Sequence, residues 1–139
     1  MALGRLLADQ IQQRPDRAEF DVVLPVPMHW LRRLARGVNG PHLLAEVLAA
    51  RLHLPLESRL LRCQRATRKQ GTLMPTERRR NVRRAYRATP GRKLAGARVL
   101  LVDDVMTTGA TANEIARVLR RAGAASVSLA VLARGVGFD

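Results

Sequence analysis

The sequence predicts an α/β fold, with a mainly parallel sheet flanked by helices. Short runs of branched apolar residues, typical of strands buried on both faces, alternate along the chain with segments of helical periodicity. Strands separated by a helix usually pair in parallel, so this alternation indicates a parallel sheet. The chain has 139 residues and is 47% hydrophobic, which suits a single domain with its own core.

The first half of the chain is predicted to supply two helices and two strands. A helix over residues 3–11, with its leucines and isoleucine on one face, ends before Pro15. The β-branched run 20–27 is typical of a buried strand and is stopped by two prolines. A second helix is predicted over 41–52 and a second strand over 56–61.

The second half is predicted to begin with a long mobile loop over 62–81, which is polar, basic and poor in large apolar residues. A short return strand follows at 85–88. The clearest strand of the sequence is 98–102, and it leads through a turn into a helix over 111–122. A last strand is predicted over 126–132.

The formal charge of the chain is +14 and it is unevenly spread. Residues 62–93 contain twelve Lys or Arg and a single acid, Glu77. Such a block favours a polyanionic partner, either a phosphorylated small molecule or single-stranded DNA. The alternative is a solvated, arginine-rich face without a partner, and the sequence leaves both open.

Several protein classes are disfavoured by composition. No apolar run is long enough to cross a bilayer, and the charged N-terminal segment is unlike a secretory signal peptide. With Cys63 as the one cysteine, the chain can build neither an internal disulfide nor a cysteine-based zinc site. We therefore expect a cytoplasmic protein without membrane insertion.

The segment VLLVDDVMTTGATANE, residues 99–114, carries the clearest chemical signal. Asp103 and Asp104 end a predicted strand, and ligands of open α/β sheets bind beyond the carboxyl ends of strands. The small residues that follow lead into a helix whose start is predicted at Thr111, with Glu114 completing a T-x-x-E capping box. Free backbone N–H groups and the positive end of a helix dipole make this loop an anion site.

Two kinds of ligand group therefore fit within a few residues. The loop suits a terminal phosphate, whereas the two carboxylates accept hydrogen bonds from sugar hydroxyls and suit Mg²⁺, held directly or through water. A pentose 5-phosphate has both features. The alternative is a buried strand with an ordinary helix cap and two solvated acids. The glycine–lysine pattern of a P-loop is absent from the sequence.

VLLVDDVMTTGAT resembles the phosphoribosyl pyrophosphate (PRPP) motif of type I phosphoribosyltransferases. Two further segments, DVVLPVPMHWLRRLARGVNG and RATRKQGTLMPTERRRNVRRAY, are similar to segments of the ComF family, the competence-protein and gluconate-utilisation group of phosphoribosyltransferase-like proteins. Together the three cover most of residues 21–132. The resemblance implies a single type I phosphoribosyltransferase-like domain over 1–139, with a flexible hood loop.

The resemblance also implies residue roles. Asp103 and Asp104 would contact the ribose hydroxyls and act in catalysis by stabilising the positively charged ribose. The remaining substrate-binding positions of the motif, which would hold the 5-phosphate, are Val105, Thr107, Thr108, Gly109, Ala110 and Thr111. The pyrophosphate loop would contain Pro25, Val26, Pro27, Arg36 and Gly37. The hood would contain Arg65, Thr67, Gln70, Arg78 and Asn81. Mg²⁺ would be the cofactor, held mainly by PRPP.

The sequence departs from the family in two places. Gly40 stands where the family usually has Gln, and Val38 where it usually has an aromatic residue, which weakens the case for a side-chain contact in the pyrophosphate loop. The cysteine-rich zinc ribbon with which family members commonly begin is absent from this sequence. A truncated product and a form reduced to the transferase-like domain both remain open.

Three functions are compatible with these features. The first is a PRPP-binding phosphoribosyltransferase that releases pyrophosphate and serves an unidentified acceptor, associated by family with competence and DNA uptake. The second is a protein that handles single-stranded DNA with weak or lost catalysis, using the basic block 62–93. The third is a regulator that senses PRPP or a nucleotide. The sequence does not identify the acceptor or the oligomeric state.

Overall fold

The structure, a computed structural model, describes residues 2–15, 20–28, 39–67, 74–89, 94–106 and 109–134. Arg36, Gly37, Gln70, Thr107 and Thr108 lie outside the described residues. The described helices are α1 (Ala2–Gln12), α2 (Gly40–Leu52), α3 (Pro75–Val82) and α4 (Ala110–Arg121). The described strands are β1 (Val22–Pro25), β2 (Leu61–Cys63), β3 (Tyr86–Ala88), β4 (Arg98–Met106) and β5 (Ser126–Arg134).

The predicted parallel sheet is confirmed. Three strands pair in the order β1-β4-β5, and both pairings are parallel. Val22 lies opposite Val99 and Pro25 opposite Val102, while Arg98 lies opposite Ser126. The helices α2 and α4 precede and follow the central strand β4 in the chain, as the alternation of patterns predicts.

Two apolar clusters cover the two faces of this sheet. Leu100 and Val102 belong to the cluster that includes residues of α1 and α2, whereas Val99 and Leu101 belong to the one that includes residues of α4. All four side chains are almost fully buried. Successive residues of a strand point to opposite faces, so a strand apolar at every position is the expected centre of a two-sided core.

The chain between the sheet strands forms a separate antiparallel pair, β2 with β3, carrying α3. The predicted strand over 56–61 is wrong in its placement. Leu56 makes a single bridge to Val23, and the paired strand begins only at Leu61. The Glu57 N–H still donates to the Val23 carbonyl, and the turn at Ser58 and Arg59 then takes the chain away from the central sheet before β2 begins.

The predicted long loop over 62–81 is also wrong in part, since this range contains most of β2 and nearly all of α3. Pro75 lies in the first turn of α3, and the Glu77 carboxylate accepts a hydrogen bond from the Met74 N–H at 3.0 Å. Proline at a helix start and an acid at the third position are both standard start signals. The sequence does not predict α3 because the arginines that follow Glu77 give the segment no apolar periodicity.

The first helix is present, but its buried face differs from the predicted one. Leu3 and Leu6 are 60% and 56% exposed, whereas Gly4, Ala8 and Ile11 are buried. An added Cβ on Gly4 would lie 3.0 Å from Val47 Cγ1 of α2. Small residues let α1 approach α2 closely, so the helix turns this face inward and leaves Leu3 and Leu6 exposed, while Leu7 packs partly buried against the core. No helix in the described ranges has the length and apolar character needed to cross a membrane.

Candidate ligand-binding site

Asp103 and Asp104 lie near the carboxyl end of β4, the central strand of the sheet. The sequence predicted that the strand stops at Val102, and this boundary is wrong: β4 continues to Met106. The extension is paired with β5, where Asp103 lies opposite Val131 and Met106 opposite Arg134. Both carboxylates are partly exposed and therefore accessible to a ligand.

Each carboxylate is oriented by a neighbouring backbone group. Asp103 Oδ1 accepts a hydrogen bond from the Asp104 N–H at 2.9 Å, and Asp104 Oδ1 accepts one from the Val105 N–H at 2.9 Å. Hydrogen bonds of this kind reduce the rotational freedom of a side chain. The two acids therefore present positioned oxygen acceptors.

Gly40, at the start of α2, lies directly against Asp104. A Cβ built on Gly40 would be 2.7 Å from Asp104 Oδ2, which is closer than side-chain carbons approach in practice. Asn39 caps this helix, its Oδ1 accepting a hydrogen bond from the His42 N–H at 3.3 Å. The N-terminus of α2 thus lies against the Asp104 carboxylate. Gly40, recognisable in the sequence only as a departure from the family, therefore lies beside the candidate site.

The predicted phosphate loop leads into α4, although its cap differs from the predicted one. The helix begins at Ala110 with Gly109 as N-cap, at a φ of 80°. Glu114 does not cap the helix with Thr111. It accepts hydrogen bonds from Arg117 and from the Arg84 N–H. A left-handed residue is most easily supplied by glycine, so Gly109 takes the place that the threonine was predicted to fill.

The start of the predicted pyrophosphate loop lies beside the acids. Pro25 pairs opposite Val102, and the Val26 N–H donates to the Val102 carbonyl at 2.8 Å. Val26 is buried and Pro27 is partly exposed. Because β1 and β4 are parallel neighbours, the residues that leave their carboxyl ends meet at the same edge of the sheet. The structure therefore brings Pro25, Val26 and Pro27 together with the Asp103–Asp104 pair.

A family model for the phosphoribosyl transferase domain matches residues 1–136. The chain belongs to this family. Among curated proteins, DNA utilization protein YhgH of Escherichia coli O157:H7 is 38% identical over 141 residues, covering 96% of this chain and 59% of that protein. Competence protein F of Haemophilus influenzae is 35% identical over 115 residues, covering 82% of this chain and 50% of that protein. The chain thus spans little more than half the length of these relatives, and the resemblance to the ComF group is confirmed.

Solved structures confirm the predicted fold. Adenine phosphoribosyltransferase from Saccharomyces cerevisiae superposes with a TM-score of 0.61 at 17% identity, covering 96% of this chain and 69% of that chain. At this identity the likeness concerns the fold alone. The single-domain, mainly parallel type I phosphoribosyltransferase fold is therefore shared with this enzyme.

Among the residues predicted for the hood of this phosphoribosyltransferase domain, Arg65 and Asn81 are in contact, and Gln70 lies outside the described residues. Arg65 Nη2 donates to the carbonyls of Asn81 at 2.6 Å and Arg83 at 2.7 Å. Arg78 is only 6% exposed, and Thr67 is partly buried. Arg65 thereby satisfies carbonyls at the C-terminal end of α3, which a cation stabilises through the helix dipole. Arg65 and Asn81, far apart in sequence, are brought into direct contact.

Glu114 connects this region to α4. Its carboxylate accepts a hydrogen bond from Arg117 Nε at 3.1 Å and from the Arg84 N–H at 3.2 Å. The hydrogen bond from Arg117 is the main reason that the pKa of Glu114 is lowered, against an opposing effect of burial. The acid is therefore ionised at neutral pH and holds α4 against the chain that follows α3. The sequence does not predict this contact, because Glu114 fits a capping box with Thr111 and a glutamate at this position is equally compatible with a contact to another segment.

Proposed function

We propose that this chain binds PRPP and transfers its phosphoribosyl group to an acceptor, with release of pyrophosphate. One observation supports this most strongly: two oriented carboxylates lie at the end of β4, one of them against the N-terminus of α2, in a phosphoribosyl transferase domain that continues into α4 through a glycine-capped loop. A vicinal diol and a phosphate on one small ligand match this arrangement.

In this proposal, the carboxylates of Asp103 and Asp104 accept hydrogen bonds from the ribose hydroxyls. The 5-phosphate takes the N–H groups of Gly109, Ala110 and Thr111, together with Thr107 and Thr108. Holding both ends of the ribose fixes C1 relative to the attacking atom, which is the main contribution that positioning makes to rate. The negative charge of the acids also favours the ribosyl cation that forms as the bond from C1 to pyrophosphate breaks and a base nitrogen attacks.

Mg²⁺ is the proposed cofactor, and the donors present fit it. Carboxylate oxygens are hard ligands of the kind Mg²⁺ takes in small number, alongside water and substrate phosphates. Asp103 and Asp104 would hold the ion directly or through water, and PRPP would supply most of the other oxygens. Bound there, Mg²⁺ would neutralise charge on the departing pyrophosphate. PRPP is an intracellular metabolite, so we place the activity in the cytoplasm.

The activity is tested by pyrophosphate release from PRPP and Mg²⁺ in the presence of a panel of purine and pyrimidine bases. We expect release that depends on one class of base and falls at least about a hundredfold in Asp104→Asn or Thr108→Ala, the size of losing a transition-state contact. Asp9→Asn, an exposed acid on α1 paired with Arg51, is the charge-matched control. Release that is unchanged in both site variants would contradict the proposal.

A second proposed function is binding of single-stranded DNA by the basic block 62–93. The observation that favours it is the pairing of Arg62 directly opposite Arg87 in the β2–β3 ribbon, both side chains exposed. Like charges at opposed positions destabilise a strand pair, so a bound polyanion would relieve an existing repulsion. The names of the relatives, competence protein F and DNA utilization protein, agree with such a role.

A further inference from the structure

We propose a second anion-binding site in the groove between α3 and α4, which takes a linear oligophosphate. This groove encloses about 820 Å³. Five arginines line it, from α3, from the turn after it and from α4, together with one carboxylate: Arg79, Arg83, Arg84, Arg117, Arg121 and Glu114. Ala110, whose N–H is proposed above to hold the 5-phosphate, also lines the groove, so the two sites adjoin, but neither Asp103 nor Asp104 lines it. The groove goes beyond the proposed transferase function.

The positive charge of the groove is largely uncompensated. Glu114, the one carboxylate among the described lining residues, is already paired with Arg117 through two hydrogen bonds. Within the described part of the chain, Arg79, Arg83 and Arg121 have no acidic partner within ion-pair distance. Converging guanidinium groups repel one another in a partly enclosed space, so a ligand with several negative charges would be attracted strongly.

Three side chains form hydrogen bonds to the backbone of the turn that contains Arg83 and Arg84. Arg84 has a φ of +56°, an uncommon conformation for a residue with a side chain. Its N–H donates to Glu114 at 3.2 Å, and its carbonyl accepts from Gln64 Nε2 at 2.6 Å. The Arg83 carbonyl accepts from Arg65 at 2.7 Å. Strained backbone persists where its surroundings fix it, and a fixed turn lowers the entropic cost of binding.

The chemistry of the lining indicates phosphates rather than bases. Arginine forks bind phosphate oxygens in pairs, and a volume of this size is within the range of small-ligand sites. No aromatic side chain is among the lining residues that the structure describes, whereas single-stranded nucleic acids are usually held by stacking on aromatic rings. Inorganic tripolyphosphate and the triphosphate of a nucleotide share the required chemistry.

The test is calorimetric titration of the full chain with tripolyphosphate, ATP, inorganic phosphate and an oligothymidylate. The groove variant is Arg83→Ala with Arg121→Ala. Its control, Arg80→Ala with Arg120→Ala, removes the same charge from the same two segments, at exposed positions outside the groove lining. We expect saturable tripolyphosphate binding that weakens at least about tenfold in the groove variant, as loss of charge-assisted contacts implies, and less than about twofold in the control.

The other ligands identify the source of the oligophosphate. Equal affinity for ATP and tripolyphosphate would assign recognition to the phosphate chain alone, and tighter ATP binding would assign the site to a nucleotide. Equal losses of tripolyphosphate affinity in the groove and control variants would show that binding depends only on the net positive charge, and would overturn the proposal. So would loss of tripolyphosphate binding in Thr108→Ala alone, or a groove variant that affects only the oligothymidylate. Circular dichroism and melting temperature establish that each variant is folded.

Discussion

Gly40 illustrates how the absence of one side chain can leave room for a neighbouring carboxylate. The Asp104 carboxylate lies against the position that a Cβ of Gly40 would take, 2.7 Å from Asp104 Oδ2. No pattern within either segment predicts this contact, because it joins the start of a helix to the end of a strand far along the chain. The sequence showed only that Gly40 departs from the family; the approach of α2 to β4 supplies the reason.

Replacing Gly40 with alanine is expected to weaken PRPP binding without loss of stability. The added Cβ would displace the Asp104 carboxylate, whose side chain is short but free to rotate, and alanine is a better helix former than glycine. We expect at least about a fivefold lower PRPP affinity by calorimetry, equivalent to about 1 kcal/mol, with an unchanged or higher melting temperature.

Asp104→Asn provides the control for this variant in a double-mutant cycle. If Gly40 acts through Asp104, then Gly40→Ala should cost little further affinity once the carboxylate is gone. Additive losses would show that Gly40 contributes independently of Asp104 and would contradict the positioning role.

Asp21 gives a pH dependence at the opposite end of the sheet. Two hydrogen bonds from the Arg98 side chain and one from its N–H hold the pKa of Asp21 below 3.8, the side-chain hydrogen bond being the main cause. A carboxyl whose pKa is lowered by folding stabilises the protein above its unfolded pKa and loses that contribution as pH falls through the folded pKa. Melting temperature measured from pH 5 downward should therefore fall less steeply in Asp21→Asn than in the parent chain. Identical slopes would contradict this.

The elements themselves were predictable where apolar periodicity marks them. The strands β1 and β4 and the helix α2 were recognised because the apolar residues whose spacing predicts them are the ones buried in the core. The end of β4 was not, because the strand continues past two polar residues: the backbones of Asp103, Val105 and Met106 pair with β5. Strand ends are determined by the neighbouring strand, and the sequence of one strand does not contain that information.

Glu114 is expected to stabilise the contact between α4 and the turn after α3. Its side chain is 12% exposed and accepts hydrogen bonds from Arg117 and from the Arg84 N–H. Glu114→Gln removes the charge from both contacts and should lower the free energy of unfolding by about 1 kcal/mol or more at neutral pH. Because folding lowers the pKa of Glu114 from 4.5, this difference should shrink as pH falls through the folded pKa.

Urea unfolding at pH 7 and at pH 3 measures this difference. Glu46→Gln is the matched control, since Glu46 is an exposed acid of α2 whose carboxylate lies 2.9 Å from His42 Nε2, one turn away. A Glu114→Gln variant no less stable than the Glu46→Gln variant would show that the connection contributes nothing.

At the scale of the whole molecule, the charge of +14 predicts salt-sensitive attraction to nucleic acids. Binding to oligothymidylate should weaken linearly on a log–log plot against salt. Removing Arg62 and Arg87 together should reduce that slope by about 1.4, because each phosphate contact on a single strand contributes about 0.7. Fluorescence anisotropy at several salt concentrations measures it.

The control for this prediction is Arg5→Ala with Arg134→Ala, two exposed arginines outside the basic block. This pair lowers the net charge equally, so it should weaken binding slightly and leave the slope nearly unchanged. No binding at low salt, or equal slope changes in both pairs, would contradict the role of the β2–β3 ribbon.

The fold and the family could be predicted from the sequence because one long motif carries both. Residues 99–111 combine a buried strand, two acids and a helix start, and each part constrains the same ligand. The arginine groove could not be predicted, since Arg83 and Arg121 lie on segments that only tertiary packing brings together. The net charge of the sequence indicated only that a polyanion could bind, whereas the structure indicates the groove in which we propose that its phosphates lie.

The central claim is that the acids at the end of β4 bind the ribose of PRPP. Calorimetric titration of PRPP into the parent chain and into Asp104→Asn, each with and without Mg²⁺, tests it most directly. We predict saturable binding that requires Mg²⁺ and is lost in the variant, with ribose 5-phosphate binding more weakly. Binding of equal affinity in both proteins, or no binding of PRPP to the parent chain, would contradict the assignment of this site.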